Sequence, residues 1–255
     1  MTFFNLSRFR LCDVAGIPIY VDVSFAILLL FFVMDGGGIA LGVPCALILA
    51  LSVVAHELGH ALTARAFGYA TQDITISLLG GCASLIALPR KAWQEFLTAL
   101  AGPVVSFLLA LFAFLARRFL PIENQWLAHM LSYCCLLNVM LGAFNLLPGF
   151  PMDGGRIFRS VLMAFFSRER ATFVAMWVGR AFAILLAVSG LHAMFTGGPW
   201  AFVRVLIAWM IWREGWREYQ LARFESAWRY TESYRARVSP PPYGGKGDDC
   251  DVTRE

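Results

Sequence analysis

The chain alternates long apolar runs with short polar segments. Five of the runs are long enough for a helix to cross the hydrocarbon core of a bilayer, which is about 30 Å thick, and a sixth is shorter. The runs are residues 17–34, 38–55, 96–116, 126–147 and 173–195 and, after a Gly-Gly-Pro break, residues 200–212. This pattern predicts a membrane-embedded all-α bundle of about six transmembrane helices.

Residues 71–88 do not follow the helical period. Aliphatic and polar residues alternate from Ile74 to Leu78, and Gly80 and Gly81 follow them. A period of two residues that ends at paired glycines is typical of a β-hairpin. We therefore predict a short membrane-associated β-hairpin between the second and third transmembrane helices.

The C-terminal part of the chain is more polar than the rest. Residues 214–238 are rich in Arg, Glu, Trp and Tyr, which is typical of an amphipathic helix at the membrane interface. Residues 239–255 contain three consecutive prolines and paired glycines, and we expect them to form a disordered cytoplasmic tail. The membrane-embedded domain is then expected to comprise residues 1–213, without a removable signal peptide.

The composition supports a membrane protein. The chain is 59% hydrophobic and 15% charged, whereas soluble domains are about 45–50% apolar and about 25% charged. This excludes an ordinary soluble enzyme and a disordered chain. The six cysteines include no CxxC pair, so we interpret them as packing residues and not as a disulfide framework or a zinc knuckle.

The distribution of basic residues predicts the orientation in the membrane. With six spans, 17 of the 21 lysines and arginines fall in segments on one side, and only Arg117 and Arg118 fall on the other. Because basic residues favour the cytoplasmic side, both termini are expected to be cytoplasmic, with the chain in the cell (inner) membrane. The same bias accounts for the net charge of +4, so we expect no nucleic-acid partner.

Residues His56-Glu57-Leu58-Gly59-His60 form an HExxH pattern at the end of the second apolar run. On a helix, residues i and i+4 lie on one face, so both imidazoles can bind one zinc ion. The adjacent glutamate can then act on water. Two histidines and a glutamate in an apolar segment are costly unless they are paired or bound to a metal, which favours a metal site over a polar helix end.

A catalytic zinc site also needs a third protein ligand and an open position. The predicted topology puts Asp22, Asp73, Glu95 and Asp153 on the same side of the membrane as the HExxH pattern, and Glu123 on the other side. Asp153 follows the fourth span, which ends on the same side as the second span. Since Asp153 is equally suited to capping a helix that follows it, the spacing alone leaves the third ligand open.

The HExxH pattern and the segment around Asp153 together resemble the site-2 protease family of intramembrane zinc metalloproteases. The second segment matches the family pattern N-x-x-P-x-x-P-x-D-G. The matching residues are Asn145, Pro148, Pro151, Asp153 and Gly154. The resemblance implies that His56, His60 and Asp153 bind one Zn²⁺ per chain and that Glu57 activates water.

The resemblance also implies a function and a partner. Such a protein hydrolyses a peptide bond within or near a transmembrane segment of a membrane-protein substrate, in the lipid bilayer. Asn145, Gly80 and Gly81 are the candidate substrate-binding residues. We expect an unwound substrate segment to pair with a strand edge at residues 74–78.

Two features set this sequence apart from the usual pattern of the family. Ser106 stands where the family usually has Asn, in an A-G-P-x-x-N segment of the third span. The remaining length leaves no room for a PDZ-like insertion or a CBS-like domain, so we expect a minimal family member. The sequence gives no indication of the oligomeric state.

Two other classes of function are open to such a sequence. A metalloprotease of the other HExxH type takes a Glu from a later helix as its third ligand, but no ExxxD pattern occurs on a later span. A zinc transporter, or a zinc-binding membrane protein without catalysis, would be expected to carry ionisable pairs in several spans. Only Arg180 and Arg204 approach that pattern, and zinc binding alone would not need Glu57.

Overall fold

The computed structural model describes residues 8–35, 38–77, 80–85, 89, 91–198 and 201–238. The elements are β1 (Arg8–Val14), β2 (Ile17–Asp22), α1 (Ser24–Asp35), α2 (Ile39–Ala66), β3 (Thr71–Ser77), β4 (Gly80–Leu85), α3 (Ala92–Phe119), α4 (Gln125–Asn145), α5 (Asp153–Leu162), α6 (Arg168–Thr196) and α7 (Ala201–Val238). The predicted tail at 239–255 and residues 78–79 and 86–88 of the predicted hairpin lie outside the described residues.

Four helices, α2, α3, α4 and α6, are long and apolar enough to cross a membrane. The shortest of them, α4, has 21 residues and is about 31 Å long at 1.5 Å per residue. They coincide with the second to fifth apolar runs. The chain is therefore a mostly helical, multi-pass membrane protein, but four helices and not six meet this criterion in the part that the structure describes.

The first predicted span, residues 17–34, is wrong as a single helix. Its first part forms β2, and only its second part is helical, as α1. Helix α1 has 12 residues, is about 18 Å long and is too short to cross the hydrocarbon core. Pro18 removes a backbone donor that a helix interior needs, and buried and half-buried residues alternate from Ile17 onward, as in a strand.

The predicted hairpin is part of a larger, four-stranded sheet with the order β1-β2-β3-β4. β1 and β2 are antiparallel, β2 and β3 are parallel, and β3 and β4 are antiparallel. Because Ile19 of β2 pairs with Ile74 of β3, β3 is an inner strand. The prediction of an exposed edge at residues 74–78 is therefore wrong. Among the described residues the edge strands are β1 and β4, and β4 contains Gly80 and Gly81.

One face of the sheet packs against α2 next to the HExxH segment. Ile17 and Ile74 form a buried cluster with Ala61 of α2, and Leu58 packs against this cluster. Because Leu58 and Ala61 flank His60 along the helix, the sheet lies directly beside the second histidine.

Helix α7 is continuous through residue 213 and contains both the sixth apolar run and the helix predicted at 214–238. It packs against α6, and Ile211 of α7 forms a buried cluster with Ala183 of α6 and with Met152. Met152 directly precedes α5. The C-terminal helix therefore contacts the segment that connects α4 to α5.

Candidate metal centre

The two histidines of the HExxH pattern lie on one face of α2, as the i, i+4 spacing predicts. Their ring centroids are 4.9 Å apart, and His56 and His60 are only 3% and 8% exposed. Glu57 is half-buried and is close enough to His60 to interact with it electrostatically. One helix thus carries two metal-binding side chains and a carboxylate next to them.

The connection between α4 and α5 brings an aspartate to these histidines. Asp153 is the first residue of α5. A Cβ atom on Gly154 would lie 2.3 Å from the carbonyl oxygens of Leu146 and Leu147, so the first turn of α5 packs directly on the backbone of the preceding loop. Only glycine permits this approach, and the tight connection turns Asp153 back toward α2.

The three side chains converge on one point. The Nε2 atoms of His56 and His60 each lie 3.1 Å from Oδ2 of Asp153. One ligand atom of each residue lies within 4.8 Å of the other two, and all three residues are buried. Zinc–ligand bonds are about 2.1 Å long, so tetrahedral ligand atoms are about 3.4 Å apart. Two imidazole nitrogens and one carboxylate oxygen at this spacing fit zinc.

The carboxylate of Asp153 is held in its charged form. Burial raises the pKa of this group, but the hydrogen bonds and charges of the two histidines lower it by more, so that the pKa lies well below its usual range. A deprotonated carboxylate is the form that binds a metal ion.

The outer nitrogens of both imidazoles have partners on α3. Nδ1 of His60 lies 2.7 Å from the carbonyl oxygen of Thr98. Because a carbonyl only accepts hydrogen bonds, this Nδ1 donates a proton, so Nε2, which contacts Asp153, is the nitrogen that would bind a metal after losing its own proton. Nδ1 of His56 lies 2.8 Å from Oγ of Ser106, which is fully buried. Such contacts orient metal-binding histidines and fix their tautomer.

A glycine of α3 leaves the space that the metal needs. A Cβ atom on Gly102 would lie 2.2 Å from Nε2 of His60 and 2.7 Å from Nε2 of His56. These nitrogens are the atoms that would bind a metal ion, so any side chain at this position would displace them. Helix α3 therefore packs against the metal-binding face of α2 through its backbone.

The other acidic residues on the predicted inner side are engaged elsewhere. The Asp22 carboxylate accepts a 2.8 Å hydrogen bond from the backbone N–H of Ser24 at the start of α1. Asp73 lies 3.9 Å from an arginine of β1, and Glu95 pairs with two arginines of α5 and α6. Among the candidates left open by the sequence, Asp153 is the one that the structure groups with the two histidines.

The three candidate substrate-binding residues lie outside the His–His–Asp group. The Nδ2 atom of Asn145 donates a 3.0 Å hydrogen bond to the carbonyl oxygen of Leu141 in the last turn of α4. Gly80 and Gly81 begin the edge strand β4 and pair with the end of β3. Their role in substrate binding stays a prediction.

The contribution of α3 to the centre was not among the predictions from the amino-acid sequence. Ser106 was known only as a departure from the family pattern, although its position in the A-G-P-x-x-S segment could have indicated that α3 approaches the histidines. Gly102 belongs to the same segment. Thr98 acts through its backbone carbonyl, for which a sequence carries no side-chain signal.

Four apolar helices and a buried His–His–Asp group define a multi-pass membrane protein with a candidate metal centre of the HExxH type. The chain belongs to peptidase family M50, whose family model matches residues 44–123 and 120–188. The resemblance to site-2 proteases that the sequence motifs indicated is thereby confirmed.

Individual relatives agree with this assignment. The chain is 34% identical over 190 residues to a zinc metalloprotease of Methanocaldococcus jannaschii, covering 72% of this chain and 54% of that protein. It is 35% identical over 228 residues to a Synechocystis sp. protein whose name places it among the zinc metalloproteases, covering 82% of this chain and 59% of that protein. The chain thus spans somewhat more than half the length of these relatives.

A solved structure has the same fold. The site-2 protease from Methanocaldococcus jannaschii matches with a TM-score of 0.63 and 29% sequence identity, and the match covers 84% of this chain and 95% of that chain. The helices and the sheet described above therefore form a site-2 protease fold.

Proposed function

We propose that this chain is an intramembrane zinc endopeptidase that hydrolyses a peptide bond within or near a transmembrane segment of a membrane-protein substrate. The observation that carries the proposal is the buried group of His56, His60 and Asp153 with Glu57 beside it, among helices long and apolar enough to lie in a membrane. Such cleavage would serve regulated intramembrane proteolysis.

We assign His56, His60 and Asp153 as the ligands of one Zn²⁺ per chain. Zinc bound by these residues would supply Lewis-acid chemistry, which lowers the pKa of water to about 7 and polarises a peptide carbonyl. Glu57 accepts the proton of the attacking water and then donates it to the nitrogen of the leaving amine. The C–N bond breaks, and the products are a carboxylic acid group and an amine.

The residues around the ligands keep this arrangement in place before the substrate arrives. The hydrogen bonds of the two Nδ1 atoms to Thr98 and Ser106 hold both imidazoles in the orientation that binds a metal. Because the ligand atoms already converge, little reorganisation is needed during the reaction. Ser106 therefore takes over the contact that we expect from the family's Asn.

Substrate binding is proposed to occur at the edge of the sheet. The carbonyls of a transmembrane helix are hydrogen-bonded and shielded, so the substrate has to unwind locally before water can attack it. The free backbone groups of β4 can replace the hydrogen bonds that the unwound segment loses. Gly80 and Gly81 would allow the substrate backbone to approach closely. We assign the carboxamide oxygen of Asn145 to a contact with the substrate backbone.

The membrane topology follows from the same proposal. The four long apolar helices are supplemented by two further crossings, one by α1, around which the bilayer is locally thinned, and one by the apolar first part of α7 at residues 201–212. This arrangement has both termini in the cytoplasm and the chain in the cell (inner) membrane. Residues 1–213 then form the membrane-embedded protease domain, 214–238 an interfacial helix and 239–255 a cytoplasmic tail.

The proposal is tested by incubating the purified protein with a single-span membrane protein that has helix-weakening residues in its span. The products are identified by mass spectrometry, with and without a zinc chelator. We expect cleavage within or near the span, and we expect the chelator to abolish it. Protein reloaded with zinc should regain the activity.

Variants separate metal binding from chemistry. Glu57→Gln should keep about one zinc per chain and lose cleavage, whereas Asp153→Ala should lose both, because it removes one of three protein ligands. Glu123→Gln, which changes an exposed carboxylate between α3 and α4, is the matched control and should behave like the wild type. Full cleavage by Glu57→Gln would refute the assigned general base.

A further inference from the structure

A cluster of buried charges lies next to the candidate metal centre. Arg159 follows Asp153 by six residues on α5 and is 1% exposed. Its Nε atom donates a 2.8 Å hydrogen bond to Oε1 of Glu95 on α3, and its Nη1 atom donates one of 2.8 Å to Oε2 of Glu218 on α7. Arg168 at the start of α6 lies 3.0 Å from the second oxygen of Glu95. Four helices therefore meet at four charges.

The cluster is balanced in charge and protected from solvent. Its buried part contains two cations and two carboxylates, and Glu95 and Glu218 have side-chain exposures of only 4% and 20%. A third carboxylate, that of Glu225 on α7, is 48% exposed and lies 3.8 Å from Arg168. Burial alone would raise the pKa of Glu218, but the charge of Arg159 lowers it overall. Because removing one partner of a buried ion pair leaves an uncompensated charge, each of the four groups depends on the others.

Arg159 also contacts the loop that positions the metal ligand. Its guanidinium lies over the ring of Phe150, 5.0 Å from the centroid, and Phe150 is 1% exposed. Phe150 precedes Asp153 by three residues, and Arg159 follows it by six. The cluster therefore holds the chain on both sides of the aspartate.

The same cluster is connected to the second histidine. Glu95 lies one helical turn before Thr98, and the carbonyl of Thr98 accepts the hydrogen bond from His60. The ion pair between Arg159 and Glu95 thus ties the helix that begins with Asp153 to the turn of α3 that orients His60. Asp153 and His60 are thus both linked, through α5 and α3, to the same group of charges.

Glu218 adds a part of the chain that the family model does not match. The match ends at residue 188, whereas Glu218 lies on α7. Without it, Arg159 and Arg168 would have a single buried carboxylate between them. The contact of Ile211 with Met152 supports α7 in the same place.

We propose that Arg159 and Glu218 are positioning residues of the metal centre. The cluster of Arg159, Glu95, Glu218 and Arg168 holds α5 so that Asp153 stays within ligand distance of His56 and His60, and α7 completes it. This inference rests on the proposed zinc site. It implies that the C-terminal helix α7 helps to hold Asp153 in position as a metal ligand.

The test uses the full-length protein and compares Glu218→Gln with Glu214→Gln. Glu214 lies one turn earlier on α7 and pairs with Arg213 and Arg217, which are 36% and 53% exposed. Three quantities are measured: the affinity for zinc by chelator competition, the visible absorption of the cobalt-substituted protein, and the thermal unfolding temperature.

We expect Glu218→Gln to weaken zinc binding about 10- to 100-fold, the range seen when groups that orient metal ligands are removed. The cobalt spectrum should change as well, because it reports the geometry of the ligands. Glu214→Gln should leave both measurements as in the wild type. Glu218→Asp keeps the charge on a shorter side chain and should give a smaller change in the same direction.

A charge-balanced double variant distinguishes electrostatics from loss of packing. Glu218→Gln combined with Arg168→Gln leaves one buried cation and one carboxylate, Arg159 and Glu95. If the excess charge displaces α5, the double variant should regain part of the zinc affinity and of the cobalt spectrum. A double variant that binds zinc less tightly than Glu218→Gln alone would contradict the electrostatic argument.

The inference is overturned if Glu218→Gln lowers the unfolding temperature but leaves zinc affinity and the cobalt spectrum unchanged, because the cluster would then only stabilise the fold. It is also overturned if Glu218→Gln and Glu214→Gln behave alike. None of these measurements uses proteolysis. A wild-type protein that binds zinc without cleaving a substrate would therefore refute the proposed function and leave this inference standing.

Discussion

The imidazoles of the metal centre and the polar side chains of strand β3 differ in their hydrogen bonding. At the metal centre both nitrogens of each imidazole have partners, on α3 and on Asp153. On β3, by contrast, Thr71 Oγ1, Asp73 Oδ1 and Thr75 Oγ1 are buried and have no hydrogen-bond partner among the described residues. They occupy alternate positions and so lie on one face of the strand.

The difference separates a region whose buried polar groups are already paired from a region in which some are not. Buried polar groups are costly unless they are hydrogen-bonded. In the centre, the candidate ligand atoms converge and the outer imidazole nitrogens have partners, so the group is preorganised. The sheet ends at β4 in the part of the chain that the structure describes, and backbone groups at such an edge can pair with an added strand. We expect the first region to hold the metal ion and the second to bind the substrate.

The largest effect is expected from closing the space at the metal. Gly102→Ala puts a Cβ atom 2.2 Å from Nε2 of His60, so the histidine has to move and zinc content should fall from about one per chain to near zero. Gly215→Ala is the matched control, because its Cβ atom meets only Met176 Cγ at 3.4 Å. Zinc retained by Gly102→Ala would show that the centre is more adaptable than the comparison implies.

A proline in β4 should impair substrate binding without loss of the metal. Successive N–H groups of a strand point to opposite edges, so of Cys82→Pro and Ala83→Pro one removes a donor from the free edge and the other a donor to β3. We expect the variant that loses the free-edge donor to cleave at least about tenfold more slowly, because it loses a hydrogen bond and the proline ring blocks the edge. Its zinc content should stay unchanged.

The variant that loses the donor to β3 is the control for sheet stability, and it should lower the unfolding temperature instead. If both proline variants cleave substrates at the wild-type rate, the substrate does not bind at this edge. Replacing a helix-weakening Gly, Asn or Pro of the substrate by Leu should slow cleavage in the wild type.

An intermediate effect is expected at the contact between Ser106 and His56. Ser106→Ala removes the partner of Nδ1 and should weaken zinc binding about 10- to 100-fold. Ser106→Asn, the residue usual in the family, should restore most of the affinity. Ser132→Ala removes a hydroxyl that bonds only to its own helix, at Ala128, and should leave zinc affinity unchanged. An unaffected Ser106→Ala would mean that the hydrogen bond does not orient the imidazole.

The smallest effect is expected from an unpaired atom of the sheet. Thr75→Val removes a buried hydroxyl without a partner, so the unfolding temperature should stay the same or rise. Thr172→Val, which removes a buried hydroxyl that donates to the backbone carbonyl of Arg168, should lower the unfolding temperature by the loss of a net hydrogen bond of about 1 kcal/mol. A Thr75→Val variant that unfolds at as low a temperature as Thr172→Val would show that the Thr75 hydroxyl has a partner.

The amino-acid sequence by itself determined the features that depend on local periodicity. The long apolar runs became α2, α3, α4 and α6, because a stretch of about 20 apolar residues has little alternative to a helix in a bilayer. The spacing of His56 and His60 placed both imidazoles on one face for the same local reason. The alternation after residue 71 correctly indicated strand β3, whereas the paired glycines, interpreted as the end of the alternation, begin strand β4.

Only the tertiary structure decided the features that depend on residues far apart in the chain. Residues 17–22 form β2 because they pair with β3, more than 50 residues away, and this pairing moved the free edge of the sheet to β4. The choice of Asp153 over Asp22 and Glu95 came from the partners that each acid finds in space. The cluster around Arg159 could not be predicted from the sequence, because its charges come from four helices and become adjacent only when those helices pack.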